Sequence, residues 1–225
     1  MPRWLAGLTA AALLAMGLLT APALVPLATT TIAKASAACP DAEVDFARGR
    51  EEAPGVGAVG QAFINSLQRK APHKTIGAYG VNYPADVSVT KGSNDMSAHV
   101  QSMAATCPNT KLVLGGYSLG AAAADVVVAV DRPGFGFTNP LPPGADQHIA
   151  AIALFGNGTS WVGAIKNFNP IYTDRTIDLC HGADPICNPA DPHTWQDNWS
   201  QHMANGYIQD GEVNQAADFV AGKLA

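Results

Sequence analysis

Lys111 to Asp125 reads KLVLGGYSLGAAAAD, and the rest of the chain is best understood from this stretch outward. Lys111-Leu112-Val113-Leu114 is a short apolar run of strand type, and Ala121 to Val130 reads as a helix of small residues. Between them lies Gly116-Tyr117-Ser118-Leu119-Gly120, a G-x-S-x-G pattern set between a strand and a helix. A serine at the tip of so tight a turn has a strained backbone, and its neighbours crowd the adjoining elements. Gly116 and Gly120 lack a Cβ, so the turn can close. The helix that follows points unpaired N–H groups toward any negative charge that forms beside Ser118. Ser118 is therefore a candidate nucleophile that needs a base, an orienting acid and an oxyanion hole from elsewhere.

Strand and helix signals alternate on both sides of this stretch. Strands are expected from Asp41 through Val44 and Phe46 toward Gly49, over Thr75 to Val81, from His148 to Phe155, and over Thr176 to Leu179. Val56, Val59, Phe63 and Leu67 recur at helical spacing in a segment ending near Gln68. A second helix presents Met96, Val100 and Met103, with Asn94 or Asp95 as its cap, and stops before Pro108. Arg132 to Gly144 is rich in Pro and Gly and reads as loop, an irregular stretch follows the fifth strand to Gln201, and a last helix covers Glu212 to Lys223. This alternation with near-continuous apolar strands implies one α/β domain: a mainly parallel sheet covered by helices on both faces. Ligands should bind beyond the C-terminal ends of its strands, where Ser118 lies.

Residues 1–38 are of another kind. After Arg3 the stretch from Trp4 to Leu27 carries no charge, Lys34 is the only other charge before Asp41, and Ala35 to Ala38 offers small-x-small cleavage sites. This is the pattern of a secretory signal peptide. An uncleaved anchor is the alternative, since the apolar run is long enough to span a bilayer, although Pro22, Pro26 and the Ala-rich exit favour cleavage. The expectation is an exported, extracellular protein, cell-surface association included, without stable membrane insertion after cleavage. Removing Arg3 and Lys34 from 13 basic residues leaves 11 against 18 acidic ones, a formal charge of −7. That argues against nucleic acid and against electrostatic docking on anionic lipid.

All four cysteines follow the leader, and an even count in an exported chain suggests disulfides. Cys180 and Cys187 are close enough to clip one loop, which leaves Cys39 with Cys107. A metal site from Cys180, His181, Cys187 and His193 is the weaker reading, because C-x6-C fits no common zinc spacing. No metal or organic cofactor is expected.

A serine hydroxyl becomes a strong nucleophile when a histidine takes its proton, and that histidine must be held in one tautomer. On sheets carrying this elbow the chain order is serine, acid, histidine. After Ser118, His148 opens a strand and His181 is fixed beside Cys180, which leaves His193 and His202 as alternatives. Among the acids, Asp125 lies inside the helix after the elbow and reads as solvated or capping, and Asp178 lies inside the fifth strand. Asp184 sits in the loop clipped by Cys180 and Cys187, a rigid place for a carboxylate. The residues favour Asp184, and His202 narrowly over His193.

Gly115 to Gly120, the loop Cys180-His181-Gly182-Ala183-Asp184-Pro185-Ile186-Cys187, and Phe46-Ala47-Arg48-Gly49 together resemble the cutinase family, and more closely its bacterial cutinase-like branch. The resemblance spans about residues 39 to 225. It implies a small α/β hydrolase with a five-stranded sheet and no lid helix, with Ser118 as nucleophile, Asp184 as acid and His202 as base. It also implies disulfides Cys39–Cys107 and Cys180–Cys187, and an oxyanion hole from the backbone N–H groups of Leu119 and Arg50. The expected activity is hydrolysis of short to medium fatty acyl esters in lipids or polyesters.

Three positions depart from the family pattern. Leu119 stands where glutamine is usual, which leaves its N–H intact. Arg50 stands where Ser or Thr is usual, so a long cation replaces a hydroxyl that helps shape the hole. Asn157-Gly158 follows Phe155-Gly156 where relatives often have an acid and a proline, and Asn157 also heads an N-x-[ST] sequon, as does Asn198. Arg50 and Leu119 are the only support for a different class of function, a surface lipid- or partner-binding protein with little activity. The oligomeric state has no signal in the sequence.

Overall fold

A computed structural model describes residues 39–188 and 192–225. The expected leader, residues 1–38, lies outside the described residues, as does Asp191. Five strands form one sheet: β1 Ala42–Ala47, β2 Ile76–Gly80, β3 Lys111–Tyr117, β4 Ile149–Phe155 and β5 Thr176–Leu179. Their order is β2-β1-β3-β4-β5 and every pairing is parallel. After β1 the chain crosses to one side to make β2, and then to the other to make β3. That reversal creates a crevice at the C-terminal ends of β1 and β3, where ligands of open parallel sheets bind. Ala47 pairs in register with Gly116, so the loop after β1 and the Ser118 turn both open into this crevice.

Helices cover both faces because the strands are apolar on both. On one face Val44, Phe46, Val113, Ala151 and Phe155 pack against α1 (Gly57–Lys70) and α5 (Glu212–Leu224). On the other, Leu112, Leu114, Ile152 and Leu154 pack against α2 (Val89–Thr106) and α3 (Leu119–Ala129). Ala121, Ala123 and Ala124 are fully buried, so the small-residue run of α3 lets that helix lie close to the sheet. Among the described residues no helix is long and apolar enough to cross a membrane.

Both expected disulfides are present, Cys39–Cys107 and Cys180–Cys187, with Cα atoms 5.5 and 5.7 Å apart. The first closes a long loop and ties the strand-leading segment to the end of α2, worth roughly 4 kcal/mol by the chain-entropy argument.

Two details differ from the sequence expectations. α2 begins at Val89, with Ser88 at its N-cap position, more than a turn before Asn94 and Asp95. The β-branched and glycine-containing start of that helix has weak propensity, and burial of Gly92 and Ser93 against Tyr83 and α3 overrides it. Asn94 instead accepts hydrogen bonds from the Thr138 and Asn139 N–H groups and so fastens the Pro- and Gly-rich loop. Asp95 accepts from the Tyr79 hydroxyl and the Asn82 N–H. The second difference is a short helix within the stretch before the last helix, α4 (Ala204–Gln209), and it bears directly on the site.

Candidate active site

Ser118 occupies the turn between β3 and α3 with φ 56° and ψ −120°, a conformation that costs a non-glycine residue about 1–3 kcal/mol. Its own backbone is held on both sides: the Ser118 N–H donates to the Phe155 carbonyl at 2.8 Å, and the Ala122 N–H donates to the Ser118 carbonyl at 3.2 Å. A Cβ at Gly116 would stand 2.2 Å from the Gly120 carbonyl oxygen, and one at Gly120 would stand 2.0 Å from that of Ala47. Both glycines are therefore required for the elbow to close against β1.

His202 ends a 3-10 turn, Trp199–His202, immediately before α4. Its Nε2 lies 2.7 Å from Ser118 Oγ and its Nδ1 lies 2.6 Å from Asp184 Oδ2. Asp184 is fully buried inside the loop clipped by Cys180–Cys187, and His202 is only 4% exposed. The structure thus brings Ser118, His202 and Asp184 into one hydrogen-bonded chain. His193 is exposed, on the 3-10 turn Pro192–Thr194. The His181 ring engages Glu212 at 2.7 Å at the start of α5.

Two tyrosines complete the arrangement, and sequence reasoning had assigned a role to neither. The Tyr117 hydroxyl donates to the His202 carbonyl, and its ring stacks under the imidazole at 5.4 Å between centroids. Tyr207, on α4, donates its hydroxyl to Asp184 Oδ2 at 2.5 Å and accepts the His181 N–H. Asp184 Oδ1 accepts the Ile186 N–H at 2.8 Å. Burial alone would push the Asp184 carboxyl up. Hydrogen bonds from His202, Tyr207 and the Ile186 N–H outweigh it and hold the group below the usual carboxylate range. The one available signal for Tyr117 was its place inside the G-x-S-x-G motif. Tyr207 gave none, because its helix is too short to show a period.

Arg50 and Leu119 line the same cleft as Ser118. Leu119 opens α3, where backbone N–H groups have no helical acceptor. The loop carrying Arg50 is shaped by charge rather than by a hydroxyl. Glu52 accepts the N–H of Gly49 at 2.6 Å and of Ala58 at 2.8 Å. Buried Arg48 donates to the carbonyls of Glu52, Val81 and Tyr83. Glu52 therefore ties the two ends of the loop that carries Arg50.

Asp125 is neither solvated nor a cap. It is 5% exposed, and burial raises its carboxyl despite hydrogen bonds from Thr159 and Asn157. The Asn157 amide donates to both Asp125 and Asp178. A third carboxylate at position 157 would repel both, which explains the neutral amide there. Asn157 is 1% exposed, so the sequon it heads is closed to modification in the folded protein.

The cleft around Ser118 has a volume of about 810 Å³ and an apolar wall that includes Leu119, Ile186, Trp195, Trp199 and Met203. Trp195, Trp199 and Met203 are each more than two-fifths exposed at its rim.

A family model described as Cutinase matches residues 38–224. A protein described as probable carboxylesterase Culp2 from Mycobacterium tuberculosis is 63% identical over 216 residues, covering 96% of this chain and 94% of the relative. Phospholipase Culp4 from the same organism is 50% identical over 233 residues, covering 99% and 96%. Among solved structures, the Trichoderma reesei cutinase in complex with a phosphonate inhibitor is similar at a TM-score of 0.65 and 31% identity, over 83% of this chain and 78% of that one.

Proposed function

The chain belongs to the cutinase family, and from that premise we propose a serine carboxylesterase with Ser118 as nucleophile, His202 as general base and acid, and Asp184 as the orienting carboxylate. The observation that carries this reading is the unbroken run of hydrogen bonds from Asp184 through His202 to Ser118 at the floor of an apolar cleft. Ser118 Oγ attacks the ester carbonyl carbon while its proton passes to His202 Nε2. The carbonyl oxygen becomes an oxyanion and takes the N–H groups of Leu119 and Arg50. Collapse of the tetrahedral intermediate breaks the bond to the alcohol oxygen, which leaves with the proton from His202. Water then attacks the acyl-enzyme by the reverse use of the same groups, releasing the acid. Asp184 keeps its charge throughout and fixes the Nδ1–H tautomer.

The apolar wall supports acyl chains of short to medium length, in lipids or polyesters. Arg50, at the mouth of the oxyanion hole, supports a preference for esters with an anionic group close to the scissile bond, and a relative named as a phospholipase is consistent with it. Export through cleavage of the leader between residues 35 and 39 is part of the same proposal, supported by the apolar leader and by two disulfides in the domain.

One set of rates tests the reading: kcat/KM for a neutral acyl ester and a phosphate-bearing one, on the parent, Ser118→Ala and Arg50→Thr. Ser118→Ala should lose activity on both to near background. Arg50→Thr should lose about threefold to fivefold in preference for the anionic ester, the scale of an exposed charge. Full activity in Ser118→Ala removes the proposed nucleophile, and an unchanged preference removes the role of Arg50.

A further inference from the structure

At the other end of β1, on the face covered by α2, three side chains converge that ester hydrolysis does not use. Glu43 Oε1 lies 2.7 Å from His99 Nε2, and Asp45 Oδ1 lies 3.6 Å from the same nitrogen. One ligand atom from each of the three residues falls within 4.8 Å of the others. Asp45 is completely buried, and neither of its carboxylate oxygens has a hydrogen-bond partner. An ionised carboxylate in that position is costly, and the adjacent Glu43 makes it costlier. Among the described residues, His99 is the only side chain that forms an ion pair with either acid.

The ring that would serve as ligand is already held in place. Tyr79 stacks on His99 with centroids 3.6 Å apart and planes within 4°, and the Tyr79 hydroxyl is anchored on Asp95. Zinc binds imidazole and carboxylate at about 2.0–2.2 Å, so tetrahedral ligand atoms stand roughly 3.4 Å apart. The His99–Asp45 separation already matches that spacing, and the His99–Glu43 pair needs to open by only about 0.7 Å. The side chains of Glu43 and His99 keep 14% and 20% exposure, which leaves a way in and a position for water. One imidazole with two carboxylates suits zinc better than calcium or magnesium, which favour all-oxygen shells.

We infer that Glu43, Asp45 and His99 form a site for a divalent metal ion of the zinc class, which neutralises the two carboxylates and ties α2 to β1. The site is structural rather than catalytic. Glu43 pairs in register with Leu112, six residues before Ser118, and so lies roughly 20 Å down the sheet from the nucleophile. Burial, then Glu43, raise the Asp45 carboxyl well above the usual range.

The test is calorimetric and thermal, on chelator-treated full-length mature protein with the disulfides intact. Zn2+ should bind at one ion per chain and raise Tm by roughly 5–10 °C at a hundred times its dissociation constant. Ca2+ and Mg2+ should do neither. Asp45→Asn and His99→Gln should each weaken Zn2+ binding at least tenfold and remove half or more of the Tm shift, while His181→Gln, which alters a histidine–acid contact outside the cluster, should retain both. Circular dichroism and the chelator Tm of each variant establish that it is folded. Failure of the parent to bind Zn2+ overturns the inference and assigns the cluster to a shared proton. Binding that survives in both Asp45→Asn and His99→Gln also overturns it.

Discussion

Asp184 and Asp45 are both fully buried carboxylates on the same small domain, yet their surroundings are opposite. Asp184 receives three donors, from His202, Tyr207 and the Ile186 N–H, and is held below the usual carboxylate range. Asp45 receives none and is pushed well above it. Burial alone therefore decides little; the donors aimed at each oxygen decide whether a carboxylate stays charged. At the C-terminal end of the sheet the disulfide-clipped loop and α4 converge on Asp184 and supply those donors. Along β1 regular strand and helix backbone is already consumed in its own hydrogen bonds, so Asp45 can be relieved only by a proton or a cation.

The largest expected effect removes the charge at the satisfied site. Asp184→Asn keeps shape but lets the imidazole flip its tautomer, and kcat should fall about 10⁴-fold in steady-state ester hydrolysis. A loss under tenfold would mean that Asp184 only fills space. Next comes Tyr207→Phe, which removes one donor to a charged acceptor and should lower kcat/KM roughly tenfold. Because that donor stabilises the ionised form, its loss should also shift the acid limb of the pH–rate profile to higher pH. A merely structural Tyr207 would lower the rate without moving that limb.

The smallest effect is on stability against pH, measured in chelator. Asp184, with a folded pKa below its unfolded value of about 3.9, stabilises above that value and loses the contribution as pH falls through the folded one. Asp45 has the reverse sign: its contribution is complete below about pH 4 and is lost as pH rises through the raised folded value. Asp45→Asn should flatten the decline of Tm on the neutral side by a few degrees, and Asp184→Asn should flatten it on the acid side. Identical Tm profiles for the two variants would erase the distinction between the sites.

How much of this was legible in the sequence follows the same division. The G-x-S-x-G turn, the alternating strands and the clipped loop are local patterns, and they yielded the sheet, the elbow and the candidates Ser118, Asp184 and His202. The contributions of Tyr207 and Tyr117 depend on contacts between segments far apart in the chain, such as Tyr117 with the His202 carbonyl, and no spacing encodes them; Glu52 acts locally, on the Gly49 and Ala58 N–H groups, but only the folded loop turns its carboxylate onto them. Asp125 was misread for a related reason: one acid in an alanine-rich helix looks solvated until Asn157 and Thr159 from another loop cover it. Asp45 and His99 are a strand residue and a helix residue that only the packing of α2 on β1 brings together.

If Ser118 is a nucleophile activated by His202, a serine-directed phosphonate followed by intact-mass detection should capture it. The folded, oxidised parent should gain one phosphonyl group per chain, and Ser118→Ala should gain none under the same conditions. No adduct on the folded parent, or an equal adduct on Ser118→Ala, would contradict the account and leave a lipid- or partner-binding protein on an esterase fold.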